Sequence, residues 1–202
     1  MKVTNPPYST QELLSNIEAY SMYPWGELLT KEGDEKYLRS FRSDTRGLVY
    51  AYQESKESQP YLYVHVKHYG RSIKELLEDD FTGQDSFYQA KDGAVLIEKF
   101  VEAGDIAYIS NITADKSVSI PAGLKPRLKV MDDIISSVFT DTGAETIVMY
   151  THRATAVHKA TLALPGEDYV VELVPYEIIS KRGNFNKNRS VDYLELILIR
   201  ER

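Results

Sequence analysis

The spacing of hydrophobic residues changes along this chain near Gly104, where a mixed pattern gives way to a period of two. Before that point three stretches have a helical pattern, and two of these open with a Ser-x-x-Glu capping box, at Ser9 and at Ser72. Two further stretches alternate aromatic and polar residues, as the strands of a hairpin do. The predicted helices are 10–20, 72–80 and 92–103, and the predicted hairpin strands are 47–53 and 61–69.

After Gly104, short apolar runs separated by Pro and Gly turns are typical of β-strands. The last run, Asp192–Arg200, is apolar on both faces, which places it centrally in a sheet. The predicted strands are 105–111, 116–120, 127–131, 145–151, 159–164, 169–174 and 192–200.

These elements together predict an α+β fold. Helices are expected mainly in residues 1–103, and an antiparallel, sandwich- or barrel-like β-rich region is expected from about 104 to 202. We expect one compact domain over 1–202, with a sub-boundary near 104 as the alternative.

Two segments of the β-rich part repeat one pattern at a constant offset of 44 positions. Pro121 aligns with Pro165, and Ile134-Ile135-Ser136 aligns with Ile178-Ile179-Ser180. The repeat predicts either a small β unit built twice or two similar β-turn-β stretches.

Composition narrows the function classes. A chain of 202 residues can bury a core without covalent staples, and its net charge of −6 argues against general binding to nucleic acid or membrane surfaces. The absence of cysteine excludes disulfides, thiolate nucleophiles and cysteine-bound zinc. No apolar run reaches the ~18 residues of a membrane helix, and no signal-peptide profile opens the chain. We therefore expect a cytoplasmic protein, or one assembled into a particle in the cytoplasm, that is not secreted.

The four histidines are the first candidates for metal binding or catalysis. His65 and His68 lie three apart on a predicted strand, so they point to opposite faces and cannot hold one ion together. His152 and His158 flank a loop and could meet. The chain has no G-x-S-x-G, Walker A or G-x-G-x-x-G pattern. The sequence therefore predicts no metal and no recognisable catalytic set.

Two features suit contacts with other molecules. Tyrosine gives contact area at low entropic cost, and a group of tyrosines on the predicted hairpin forms either a wall of the core or a docking patch. A cationic loop at 181–189 is either a solvated hairpin loop or a finger that meets phosphate, RNA or an acidic partner. Contact with nucleic acid is expected only there. The residues concerned are Tyr50, Tyr52, Tyr61 and Tyr63 in the hairpin, and Lys181, Arg182, Phe185, Lys187 and Arg189 in the loop.

Residues 159–200 resemble the end of the ADP-ribosyltransferase family: an apolar run closing in Pro165-Gly166, then the runs 169–174 and 192–199. The resemblance implies an NAD cofactor. It also implies that Ser117 and Ser119 form the Ser-x-Ser strand of that family, and that Arg46 or Arg71 contacts NAD. The chain departs from the family at Ala160, which stands where the catalytic Glu is expected.

Three functional hypotheses follow. The leading one is a non-catalytic interaction or assembly subunit, such as a structural component of a viral or other multi-subunit particle, with protein partners in an oligomer or larger assembly and no cofactor. The second is an ADP-ribosyltransferase-like enzyme that uses NAD, inactive if Ala160 is natural. The third is a small acidic regulator or inhibitor that binds one protein partner.

Overall fold

The computed structural model describes residues 2–4, 47–53, 55, 62–78, 88–90, 93–114, 124–152, 156–175, 178–180 and 194–202. Within them the strands are β1 (Lys2–Thr4), β2 (Gly47–Tyr52), β3 (Leu62–Gly70), β4 (Tyr88–Ala90), β5 (Ile106–Ala114), β6 (Thr146–His152), β7 (Tyr169–Pro175), β8 (Ile178–Ser180) and β9 (Leu194–Glu201). The helices are α1 (Ile73–Leu76), α2 (Gly93–Ala103), α3 (Leu124–Thr142) and α4 (Ala156–Leu162). The main sheet has the strand order β1-β2-β3-β5-β6-β9-β7, and β4 pairs with β8 separately.

The chain divides into two compact units. The first comprises Met1–Lys67 and Ile109–Gly123, and the second comprises His68–Tyr108 and Leu124–Arg202. No helix in the described ranges is both long and apolar enough to span a membrane.

The first unit is built on an antiparallel hairpin. β2 pairs with β3, with Tyr50 opposite Val64 and Ala51 opposite Tyr63, and β1 pairs with the other edge of β2. The predicted hairpin is therefore confirmed. Its strands are buried on both faces, since Tyr50 and its neighbour Ala51 are both fully buried.

The second unit contains a parallel crossover. The carbonyl oxygen of Asp105 accepts hydrogen bonds from the backbone N–H groups of Glu145 and Thr146, at 2.9 and 3.0 Å. β5 begins at Ile106 and β6 begins at Thr146, so the two strands start side by side and run in the same direction. α3 connects them, as a helix must connect parallel neighbours.

β9 lies between β6 and β7 and is antiparallel to both. Its residues 195–199 are all buried. This confirms the prediction that the last apolar run is a central strand.

Helices cover both faces of the sheet in the second unit. Phe100 of α2 belongs to the same core cluster as Val148 of β6 and Leu198 of β9. α3 and α4 also pack on β6, and Thr161 of α4 approaches Met149, which is adjacent to Val148 in the strand. Because adjacent residues of a strand point to opposite faces, α4 packs on the face opposite to α2.

The predicted fold class is wrong. The region from 104 to 202 is not a sandwich or barrel, because it contains α3 and α4 between strands, and β5 and β6 are parallel. Two predicted strands, 127–131 and 159–164, lie in these helices or at their ends. The buried residues of α3 recur at intervals of three and four, as in a helix. This spacing is not visible within the five residues 127–131 that were predicted as a strand. The buried residues are Met131, Ile134, Ile135, Val138 and Phe139.

The internal repeat is not a structural repeat. Ile134-Ile135-Ser136 lies in the middle of α3, whereas Ile178-Ile179-Ser180 is β8. The same three residue types serve a helix in one place and a strand in the other, because flanking residues and tertiary pairing decide between the two.

The other predicted elements fall into two groups. Helices at 72–80 and 92–103 are confirmed in type, as α1 and α2, and Gly104 ends α2 with a positive φ of 75°. The capping box at Ser72 makes no side-chain cap hydrogen bond. The predicted helix 10–20 and strand 116–120 lie outside the described residues.

Candidate functional site

The polar side chains buried in the second unit gather mainly at one edge of its sheet. Thr151, His158, Thr161 and Glu195 are at most 9% exposed. Glu195 lies opposite Thr151, which is next to the last residue of β6, and His158 is on α4, which follows β6. The group therefore marks the carboxyl end of β6. Ligands of sheets with parallel strands bind beyond this end of the strands.

Thr161 has a structural reason to be buried. Its hydroxyl donates a hydrogen bond of 2.9 Å to the carbonyl oxygen of Val157, four residues earlier in α4. Thr146, at the other end of β6, likewise donates to the carbonyl oxygen of Ala103 at 2.6 Å and ties the end of α2 to the sheet. Bonds of this kind satisfy a buried hydroxyl without any ligand.

His158 and Glu195 bind each other. The imidazole Nε2 lies 2.5 Å from Oε2 of the carboxylate, and both side chains are about one-tenth exposed. A carboxylate held against one ring nitrogen fixes the orientation and the tautomer of the imidazole. We call this pair the dyad.

The dyad is not expected to contribute much to the free energy of unfolding, because both groups lose their hydration when they are buried. Removing two ionisable groups from water is unfavourable, and replacing a buried ion pair by well-packed apolar residues is often neutral or stabilising by ~1–4 kcal/mol. Glu195 is followed on β9 by four aliphatic residues that are fully buried, Leu196 to Ile199. A carboxylate in such a strand indicates a functional rather than a packing role.

A second buried histidine belongs to the first unit. Nδ1 of His65 lies 2.6 Å from the hydroxyl oxygen of Ser110, an arrangement that a nucleophilic serine and its base also show. Burial, and to a lesser degree the charge of Lys67, lowers the pKa of His65 to about 3. An imidazole with so low a pKa is a poor acceptor for a hydroxyl proton near neutral pH. The pair is therefore better explained as mutual satisfaction of two buried polar groups.

A third histidine pair lies at the opposite end of the parallel strands from the dyad. Nε2 of His68 is 2.7 Å from Oδ1 of Asp105, and both side chains are about one-third exposed. Asp105 immediately precedes β5, so this pair is at the amino end of the strand. It has the same chemistry as the dyad in a position where the fold provides no ligand edge.

The structure separates the residues that the ADP-ribosyltransferase resemblance had grouped. Arg71 is exposed and pairs with Glu145 at 3.1 Å, near the amino end of β6. Ala160 is buried in α4, in a helix rather than before a strand. Arg46, Ser117 and Ser119 lie outside the described residues.

The predicted interaction residues are placed only in part. Tyr50 and Tyr52 lie on one face of β2, and the register puts Tyr63 on the opposite face, opposite Ala51. All three are at most 9% exposed, which agrees with the core alternative rather than with a docking patch. Tyr61 and the cationic loop of Lys181, Arg182, Phe185, Lys187 and Arg189 lie outside the described residues. Over the part of the chain that the structure describes, no three potential metal ligands come together.

Sequence reasoning considered His158 only as a partner of His152, whose side chain is not among those described. It placed Glu195 on the mostly apolar second face of the last strand and gave it no functional role. The available signal was a single acidic residue inside the aliphatic run Leu194–Ile199. The partner of Glu195 lies 37 residues away on another element, so the pairing had no local signature.

Comparison with solved structures finds proteins that match the fold of this chain over nearly its whole length. The chain is similar to an uncharacterized protein from Bacillus halodurans, with a TM-score of 0.57 and 11% identity over 99% of this chain and 83% of that one. It is also similar to FeeM, an N-acyl amino acid synthase from uncultured soil microbes, with a TM-score of 0.54 and 9% identity over 100% and 92%. A putative phosphinothricin N-acetyltransferase matches with a TM-score of 0.51 and 12% identity over 100% and 98%.

The chain shares its fold with these three proteins. No protein-family model and no curated protein matches at the level of sequence. The likeness in fold is the finding that corrects the functional hypotheses. The similar structures whose names state an activity are acyl-transferring enzymes, so the hypothesis of a non-catalytic assembly subunit or virion component is contradicted. The ADP-ribosyltransferase alternative finds no support among them.

The expectation about cofactors is corrected in the same way. We expected no cofactor, with NAD as the alternative, whereas the similar structures whose names state an activity are named for acyl transfer, so neither expectation is supported.

Proposed function

We propose that this protein is an acyltransferase that moves an acyl group from a thioester, such as acetyl-coenzyme A, to an amine. The observation that carries the proposal is the fold, which matches N-acyl-transferring proteins over essentially the full length of both chains. A fold alone can serve several reactions, so the proposal also needs a site.

The parallel pair β5 and β6 supports a site at the carboxyl end of these strands. Open sheets bind ligands there, since the connecting helix and loops form a crevice beyond the last residues of parallel strands. The dyad and Thr151 lie at the same end of β6. A buried carboxylate, an imidazole and a hydroxyl are therefore grouped at the end of β6 where a substrate would bind.

The cationic residues at the start of α3 support an acyl donor that carries negative charge. α3 is the helix of the crossover, and its first six residues include Lys125, Arg127 and Lys129. The chain as a whole carries a net charge of −6, so this is a local reversal of sign. Coenzyme A bears phosphates, which are attracted by the backbone N–H groups at the beginning of a helix and by cationic side chains.

Measurement of thiol release tests the proposal directly. Because the chain contains no cysteine, every thiol that a colorimetric reagent detects comes from the donor. The purified full chain would be incubated with acetyl-coenzyme A and a panel of amines: free amino acids, a polyamine, and peptides with a free N-terminus or a lysine. Acetylation of a peptide would also fit the expectation of a protein partner, because the partner would then be the acyl acceptor. We expect amine-dependent thiol release and an acetylated product in the mass spectrum.

A thermal melt gives an independent test of the donor. A ligand that binds only the native state raises the melting temperature according to its concentration and affinity. Coenzyme A is expected to raise it, and NAD at the same concentration is not. Stabilisation by NAD alone, together with the absence of thiol release with every amine, would contradict the proposal.

A further inference from the structure

The proposed reaction requires the transfer of a proton. When an amine nitrogen attacks the thioester carbonyl, a C–N bond forms, the C–S bond breaks, and the nitrogen must lose one proton to become an amide. The leaving thiolate must gain one to become a thiol. A single acid–base group beside the reacting atoms can carry out both transfers, and histidine is the side chain best suited to this near neutral pH.

The contacts of the described histidines differ. Nδ1 of the buried His65 contacts the hydroxyl of Ser110. His68 has a carboxylate partner, but is about one-third exposed at the amino end of β5. His158 combines both properties, and lies at the carboxyl end of β6.

The contact with Glu195 explains how His158 could accept and release a proton without reorganising. The carboxylate orients the ring and stabilises the imidazolium form that exists between the two transfers. Both side chains are largely shielded from water, so the hydrogen bond between the carboxylate and the imidazole is stronger than it would be on the surface. This arrangement also accounts for the presence of a buried carboxylate beside the four aliphatic residues Leu196–Ile199.

We infer that His158, held in place by Glu195, takes the proton from the acceptor amine and returns it to the leaving thiolate. The inference rests on the proposed acyltransferase function and deepens it by assigning the acid–base group. His158 acts on the reacting atoms, and Glu195 is a positioning residue that acts through His158.

The structure offers a matched control. His68→Gln removes an imidazole that also has a carboxylate partner, at a similar distance of 2.7 Å, but near the amino end of β5 rather than the carboxyl end of β6. His158→Gln and His68→Gln are therefore the same chemical change in two settings. The assay is thiol release from acetyl-coenzyme A with the best amine of the panel, at saturating donor.

We expect His158→Gln to lower kcat about 100-fold or more, the usual contribution of a general base, with KM changed far less. The rise of kcat with pH that a neutral imidazole base produces should also disappear in this variant. His68→Gln should keep kcat within about threefold of the original chain. Glu195→Gln keeps the size of the side chain and a hydrogen-bonding group but removes the charge, so an intermediate loss of kcat is expected.

The outcomes separate the two proposals. If the unmodified chain transfers acetyl to none of the amines, the acyltransferase proposal fails and the role of the dyad fails with it. If that chain is active and a folded His158→Gln variant keeps its kcat and its pH profile, only the dyad inference is overturned. If His158→Gln does not fold, Glu195→Gln decides. A folded Glu195→Gln variant with unchanged kcat and pH profile overturns the inference, and a loss of kcat without a change in KM supports it.

Discussion

At the scale of single residues, the two histidines that are buried in the described part of the chain differ in the contacts of one ring nitrogen. His65 is bound by a hydroxyl group in the first unit, and His158 by a carboxylate in the second. A hydroxyl satisfies a neutral imidazole but cannot compensate a positive charge, whereas a carboxylate can. The partner therefore decides whether a buried histidine is a packing element or a site for a proton.

The lowered pKa of His65 predicts that stability falls in acid. In the unfolded chain this histidine takes up a proton below about pH 6.5, whereas in the folded chain its pKa is about 3. Between these values the unfolded state binds more protons, so the free energy of unfolding decreases as the pH falls through this range. Each unit of pKa difference corresponds to about 1.4 kcal/mol, so the loss amounts to several kcal/mol near the lower limit.

Urea unfolding at a series of pH values between 7 and 4 measures this effect. His65→Asn is the informative variant, because its amide can still bond to Ser110 but does not take up a proton in this range. The variant is expected to be somewhat less stable at pH 7 and to depend less on pH. Parallel pH curves for the original chain and His65→Asn would show that other groups cause the acid sensitivity.

At the scale of elements, two helices end in the same way but in different surroundings. Gly104 follows α2 with φ of 75°, and Gly143 follows α3 with φ of 67°. Glycine adopts this left-handed conformation without strain, which is why it often terminates helices. A Cβ at Gly143 would meet nothing within 4 Å, whereas a Cβ at Gly104 would lie 3.0 Å from Cδ of Glu145 and closer still to its Oε2.

Gly104→Ala should therefore destabilise the protein more than Gly143→Ala does. The positive φ costs ~1–2 kcal/mol at either position. At position 104 the carboxylate of Glu145 must also move, which breaks its hydrogen bonds with the backbone of Asp105 and with Arg71. Urea unfolding of both variants gives the comparison, and adding Glu145→Ala to each should remove most of the difference. Equal losses in the two single variants would contradict this account of the α2 terminus.

Local pattern was sufficient for some elements and not for others. The hairpin β2–β3 and the helix α2 were predicted because their signals are contained in the element itself: alternation in the one, and a helical pattern with a terminating glycine in the other. α3 was read partly as a strand, because Arg127–Met131 alternates over five residues while its helical spacing needs the whole length to Phe139. A short window favours the wrong period whenever both fit.

At the scale of the whole molecule, the arrangement of the strands depended on contacts between distant residues. A backbone hydrogen bond between Thr146 and Asp105 places the beginnings of β5 and β6 side by side. The residues of the two strands alone do not indicate that the strands are parallel. The intervening helix was the missing signal, since parallel neighbours need a crossover connection. The candidate site shares this property, because the sequence contains both members of the dyad but the fold alone brings them together.

The position of each strand in the sheet predicts how stability is distributed over the molecule. β9 is paired on both sides, and its residues 195–199 are at most 7% exposed. β7 is the last strand in the sheet order and pairs with β9 on one side, and Val170 and Leu173 are 42% and 38% exposed. Amides in doubly paired, buried strands open only with much of the structure, whereas amides near an edge open locally.

Hydrogen exchange followed by mass spectrometry should therefore show the slowest exchange in peptides that cover 195–199. Peptides that cover 170–173 are expected to exchange at least ~10-fold faster, which corresponds to about 1.4 kcal/mol in opening free energy if the amides exchange from locally opened states.

The same measurement on Glu195→Gln tests whether the dyad is a packing element. If the carboxylate mainly serves chemistry, β9 remains the most protected segment in this variant. A general loss of protection across 195–199 would instead mean that the ion pair holds the sheet together.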